Sequence, residues 1–289
     1  MFNIYNNRKS FLSILLMFPV VLAAQDYYFV AGEDGRWSNI QNWRTSSGGS
    51  VQHNVVPSAN DNIIIDENSF PGNVDELLVD LNLATCRDLQ ISTDIPFTLE
   101  VSAGNTLIIS GSVEGRSTVD YEIRGQLNFN GSGTKTIDFG QEIRTHQLFI
   151  GAAGGDWTFV NDYYVEDMFQ LTNGQMTFQD VQINAHKAIF QPTSGLDGFF
   201  ENTEITLRST DEDFLGILNN YTLRFLNTDQ INLKSVESVI RIEGDYPSIL
   251  LRGNEPVQWD EIHLRTHQQA WINYQTGESF RIPALTSDP

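Results

Sequence analysis

Short stretches that alternate apolar and polar residues follow one another along most of this 289-residue chain. Leu127-Asn128-Phe129, Ile137-Asp138-Phe139, Trp157-Thr158-Phe159, Met176-Thr177-Phe178 and Val181-Gln182-Ile183 open the series. Leu223-Arg224-Phe225, Ile231-Asn232-Leu233, Ile240-Arg241-Ile242 and Ile262-His263-Leu264 continue it. A period of two sends the outer pair to one side of a strand and the central polar residue to the other. Gly, Asn or Asp closes many of the segments, as in Asn130-Gly131, Asn173-Gly174 and Glu243-Gly244-Asp245. These residues tolerate positive φ and turn the chain. Strands of about 4 residues cannot bury much surface as isolated hairpins, so the fold must stack many of them.

Spacing selects among the ways of stacking. Segments between Leu127 and Phe159 begin at 127, 137, 148 and 157, in steps of 10, 11 and 9. Such steps suit a β-solenoid, and also a β-sandwich with turns every 8–12 residues. A sandwich built from hairpins asks for longer strands around its tight turns. The expected fold class is therefore all-β, a parallel β-solenoid (β-helix), with Leu127, Phe129, Ile137 and Phe139 stacked inward and Asn128 and Asp138 facing out. A helical bundle is excluded, because 12 Ala and 4 Lys stand against 24 Asn and 22 Gly. At 40% hydrophobic and 11% aromatic residues, the chain is too apolar for disorder.

Three regions follow. Residues 1–24 read as a signal peptide: Arg8-Lys9, then an apolar run from Phe11 to Ala24 shorter than the ~20 residues that span a bilayer. Cleavage after Ala23 or Ala24 leaves no transmembrane anchor and implies a secreted or cell-surface (extracellular) protein that meets an export machinery. Residues 25–70 hold Trp37, Trp43 and the strand Asn62-Ile63-Ile64-Ile65, and read as an N-terminal cap over the first rung. Residues 71–289 are the solenoid repeats. With a single cysteine, Cys86, no intramolecular disulfide can form, and the core alone must hold the exported chain together. Cys86 itself reads as a small buried hydrophobe. Seventeen basic against 37 acidic residues give a net charge of −20, and about −22 once Arg8 and Lys9 are removed. That excess argues against nucleic acid as a partner.

The run Gly35-Arg36-Trp37, Asn42-Trp43 and Pro57-Ser58-Ala59-Asn60-Asp61 before Ile63-Ile64-Ile65 resembles the opening of large secreted β-solenoid proteins of Bacteroidota. The stretches Ala103–Gly111, Leu127–Ile137 and Leu171–Met176 are similar to that family's coil motifs, so the likeness spans roughly residues 27–180. It implies an adhesin or a gliding-associated filament exported by type IX secretion. Such proteins end in a sorting domain, whereas this chain ends at Leu285–Pro289, and the expectation is an N-terminal portion of a longer protein.

No constellation assigns chemistry: no catalytic, cofactor-binding or metal-ligating residue is expected. His263 and His267 lie four apart, but the alternation makes them strand neighbours with Arg265 between, a poor zinc site. Asp211-Glu212-Asp213 and Asp66-Glu67 could attract a structural calcium at a turn, yet no EF-hand loop or nonapeptide calcium repeat is present. Outward residues including Asp138, Arg224, Arg241, His263 and Arg265, with Trp259, Trp271 or Tyr274, supply raw material for handling sugars. Nucleophile elbows, phosphate loops and dinucleotide fingerprints are missing. The leading expectation is a non-catalytic, adhesive or structural module with surface glycans or cell-surface proteins as partners. The alternative is an extracellular polysaccharide-binding or polysaccharide-degrading β-helix.

Overall fold

The computed structural model describes residues 24–151 and 153–208, then segments 223–226, 231–244, 248–252, 261–266, 271–274 and 285–287. Nearly all of it is strand, wound into a parallel β-solenoid of about 7 turns. The one helix among the described residues is a single 3-10 turn, Ile40–Asn42.

Each coil contributes to three columns of parallel pairing. The first is a ten-stranded sheet that begins with Trp43–Arg44, Asp26–Phe29 and Asn62–Ile65 and runs through Gly133–Asp138 and Gly155–Phe159 to Ile231–Val236. A fifteen-stranded sheet supplies the other two columns. Glu76–Val79 and Phe97–Val101 open the second column, and Leu83–Cys86 and Thr106–Ile109 open the third. Val119–Phe129 serves both: its first half pairs with Phe97–Val101 and its second with Thr106–Ile109. Ile143–Ile150, Tyr163–Leu171 and Gln182–Phe190 do the same, with register shifts where one column hands over to the next.

That geometry revises the estimate of strand length. Val119–Phe129 has 11 residues rather than about four, because two short strands run together across a corner. It also explains the ten-residue steps. Leu127 and Leu148 lie in the third column and Ile137 and Trp157 in the first, so two steps make one coil. Between Leu127 and Phe159 the second column escapes the alternation count because Thr145, a polar residue, points inward and is 1% exposed. Its hydroxyl donates to the Gln147 carbonyl at 3.0 Å. Leu77, Leu99 and Tyr121 are successive partners, 22 residues apart each time. Phe159 and Phe178 are 19 apart, and Ile205 and Ile240 are 35 apart, yet the ladder stays parallel throughout.

Inward residues form one continuous core. Leu127, Phe129, Ile137 and Phe139 are buried, while Asp138 is exposed and Asn128 half-buried, as alternation requires. Phe159, Phe178 and Phe200 stack on consecutive rungs with centroids 4.8 Å and 5.0 Å apart, close to the strand spacing of ~4.8 Å. Corners are tied by side-chain amides. Asn161 accepts from the Phe139 amide at 2.7 Å and donates to Asp138 of the coil below.

The segment 25–70 closes the stack and also enters it. Asn62–Ile65 pairs in parallel with Leu89–Ile91, so it is already a rung, whereas Trp43–Arg44 runs antiparallel to Asp26–Phe29 and ends the first column. Trp37 and Trp43 are buried, in edge contact at 5.1 Å, and Trp43 Nε1 donates to the Trp37 carbonyl at 2.8 Å. The resemblance motif is thus structural. Asn42, fully buried, accepts from the Gly32 amide and donates to Asp34 and to the Arg36 carbonyl. Asp61 accepts from the Ser58 amide and hydroxyl and from the Gln25 amide, fixing the entry into the Ile63 strand.

Candidate functional site

Outward side chains lie in rows along the stack, one residue per coil, at the ~4.8 Å rung spacing. Charge divides these rows by column. Strands of the first column carry Asp26, Glu114, Asp138, Asp156, Asp197 and Glu201. The second column carries Glu76, Glu100, Asp120, Glu122, Glu166 and Glu204. The third column, from Leu83–Cys86 to Trp271–Tyr274, contains no aspartate or glutamate in any of its nine segments.

The second column is the most chemically varied. Glu100 lies in register between Leu78 and Glu122, with Glu76 beside it on the preceding strand. Burial and the neighbouring Glu100, which shares a hydrogen bond with Glu76, push the Glu76 carboxyl above the ordinary carboxylate range, and Glu122 adds to the effect. Arg124 bridges Glu100 and Glu122. Further along, Arg144 and Tyr164 are register partners, and the guanidinium sits 5.1 Å from the Tyr164 ring centroid. Tyr164 is exposed and Asn184 is its partner on the next rung. Between the second and third columns, Asp167 is held by Lys187 at 2.8 Å and by Gln147 at 2.6 Å. Burial pushes this carboxyl up, but those two hydrogen bonds outweigh it and hold the group below its usual range.

The outward residues singled out in the sequence separate onto different columns. Asp138 lies in the first, Arg224 in the third, and Arg241 and His263 are register partners in the second. Arg265 is in register with Glu243. The Trp271–Tyr274 strand belongs to the third column. His267, Trp259, Asp211-Glu212-Asp213, Asp245 and residues 1–23, on which the signal-peptide expectation falls, lie outside the described residues. Asp66 is buried and its carboxylate accepts from the Asn68 amide at 2.9 Å, so it braces a turn. Among the described residues no group of three or more His, Cys, Asp or Glu is arranged to hold a metal ion. No described helix is long and apolar enough to cross a membrane.

Comparison with protein-family models, curated proteins and solved structures gives no match. The chemistry of the faces therefore rests on their own geometry. Glu76, Glu100 and Glu122 carried no local motif; their separations of 24 and 22 residues are the signal, legible only once the coil length is known.

Proposed function

We propose that this chain is an exported, cell-surface module that acts without catalysis, by extended adhesive or structural contact along its coil stack. The observation that carries the reading is the stack itself. Among the described residues, parallel columns run from Asn62–Ile65 onward, with Trp37, Trp43 and Asn42 packed at their start. Such a fold holds long rows of side chains at fixed spacing, which suits contact with an extended partner better than enclosure of a small one. The export reading rests on residues 1–24, and the place among surface adhesins or gliding-associated proteins rests on the motif likeness. Surface glycans and other cell-surface proteins are the proposed partners. Deleting the gene should reduce cell adhesion or gliding; intact adhesion with loss of growth on one polysaccharide would overturn this reading.

One observation favours a second reading, polysaccharide binding. Arg144, Tyr164 and Asn184 present a ring flanked by a cation and an amide on consecutive rungs, an arrangement on which a sugar ring can stack. Hydrolysis has less support there. Glu76 and Glu100 touch through a hydrogen bond, closer than the ~5 Å that separates the carboxyls of a retaining glycosidase. Tyr164→Ala should abolish retention on the polysaccharide if this face binds it, and unchanged retention would exclude the face.

A further inference from the structure

In the second column, the outward row that carries Glu100 and Glu122 loses its carboxylates for three coils. Arg144, Tyr164 and Asn184 are successive register partners there, at the ~4.8 Å rung spacing. Arg144 is already paired on its own strand, its Nε 3.2 Å from a Glu142 oxygen. Its guanidinium sits 5.1 Å from the Tyr164 ring centroid, and Tyr164 is 38% exposed. Asn184, half-buried, carries an amide that both donates and accepts. The row then closes, because its next member, Thr206, is buried and donates its hydroxyl to Glu204 at 3.1 Å. We infer, resting on the polysaccharide-binding reading, that the glycan bound on this row is neutral and lies along the coil stack, with one sugar on each of the three coils.

Spacing sets the direction. A rung spacing of ~4.8 Å is close to the rise of one sugar in an extended glycan, so successive rings meet the guanidinium, the Tyr164 ring and the Asn184 amide in turn. A glycan laid across the stack at Tyr164 would instead run from Asp162 to Glu166, two places to either side on the same strand face. Both are engaged: Asp162 accepts from the Gln182 amide at 2.7 Å, and Glu166 lies 3.5 Å from His146. Charge sets the class. Glu142, Asp162 and Glu166 flank the row and the chain carries −20 overall, so a uronate polymer is repelled both at a distance and on contact. The hydroxyls of a neutral sugar can donate to the flanking carboxylates and accept from Arg144 and Asn184, while its ring packs on Tyr164.

Affinity electrophoresis of the full chain tests both halves of the inference, with hydroxyethylcellulose, galactomannan or xyloglucan in the gel as neutral probes and polygalacturonate as the charged one. At least one neutral polymer should retard the chain, and polygalacturonate should not, at low salt where repulsion is strongest. With circular dichroism confirming that each variant folds, Tyr164→Ala should abolish the retardation. Asn184→Ala should weaken it by up to about tenfold, the loss of one hydrogen bond. Glu166→Gln, off the row, should leave it unchanged. Oligosaccharides of the retarding polymer should compete more strongly from one sugar to three, and no more strongly beyond. Retardation by polygalacturonate alone, or loss with Glu166→Gln and not with Asn184→Ala, overturns the inference while glycan binding by this face stands. No retardation by any of the polymers, or retardation that survives Tyr164→Ala, overturns the polysaccharide-binding reading and the inference with it.

Discussion

Glu76 carries a cost at neutral pH that an amide would not. Its carboxyl is pushed above the ordinary range by burial and by Glu100, so in the folded chain it holds its proton to higher pH than in the unfolded one. The folded state thus binds more protons, and its stability falls as pH rises through and above the usual carboxylate pKa. Glu76→Gln should therefore raise the melting temperature at pH 7 by a gain worth about 0.2–1 kcal/mol, the range for relieving a like-charge cross-strand pair, and the gain should vanish below about pH 4. Differential scanning fluorimetry across that range is the check; a gain that grows on acidification would contradict the assignment. Cys86 makes the opposite kind of statement. It is buried, and burial with nearby Asp88 pushes its thiol up, so it should resist a thiol reagent in the native state and react fully in denaturant. Rapid labelling without denaturant would mean that the second coil opens locally.

Between neighbouring rungs, side chains must match across a fixed spacing, and two residues show how narrowly. Phe178 stacks between Phe159 and Phe200 with interplanar angles of 12° and 6°. Phe178→Ala should cost about 3–5 kcal/mol by chemical denaturation, because rings on both sides lose a partner and the ladder cannot collapse around the gap. Gly131 shows a different constraint. A Cβ there would lie 1.7 Å from the Ser110 carbonyl of the preceding coil, so its role is close approach between coils rather than positive φ. Gly174, at φ 101°, does supply the left-handed turn that Asn173-Gly174 suggests. Both dipeptides read alike in the sequence, and only neighbouring coils distinguish them. The same holds more widely. Alternation was enough to place Leu127, Phe129, Ile137 and Phe139 in the core. The second-column strand between Leu127 and Phe159 was hidden because inward Thr145 breaks the apolar rhythm and because two strands join across that corner. The Glu76, Glu100 and Glu122 group was hidden because its members are neighbours only through a coil length that degenerate repeats do not reveal. Glu243 and Gly244, read as a turn, continue a strand because pairing with Arg265 and Thr266 extends it.

At the scale of the whole molecule, coil length varies while pairing does not. Successive partners are 19, 22 or 35 residues apart, so additions are absorbed between strands and the columns stay in register. An insertion of ten Gly/Ser residues at the exposed turn Ala103-Gly104, where an added Cβ would meet nothing within 4 Å, should leave the melting temperature nearly unchanged, since each doubling of a loop costs only about 0.6 kcal/mol. The same insertion within Phe159, whose ring is stacked, should unfold the coil; comparable melting of the two variants would refute this division.

The direction of the backbone hydrogen bonds has a mechanical consequence. Strands lie across the stack, so the bonds joining one coil to the next point along its axis. Tension applied between the two ends of the stack would load the bonds of the outermost coil first, opening them as a zipper opens rather than shearing a whole sheet at once. A coil of 22 residues releases roughly 70 Å of chain when it peels, and coils of 19 and 35 residues about 60 Å and 115 Å, so a single-molecule pulling trace should show a series of small yielding events whose spacing follows coil length. A tether built this way lengthens under load in instalments, limiting the peak force that reaches whatever it holds.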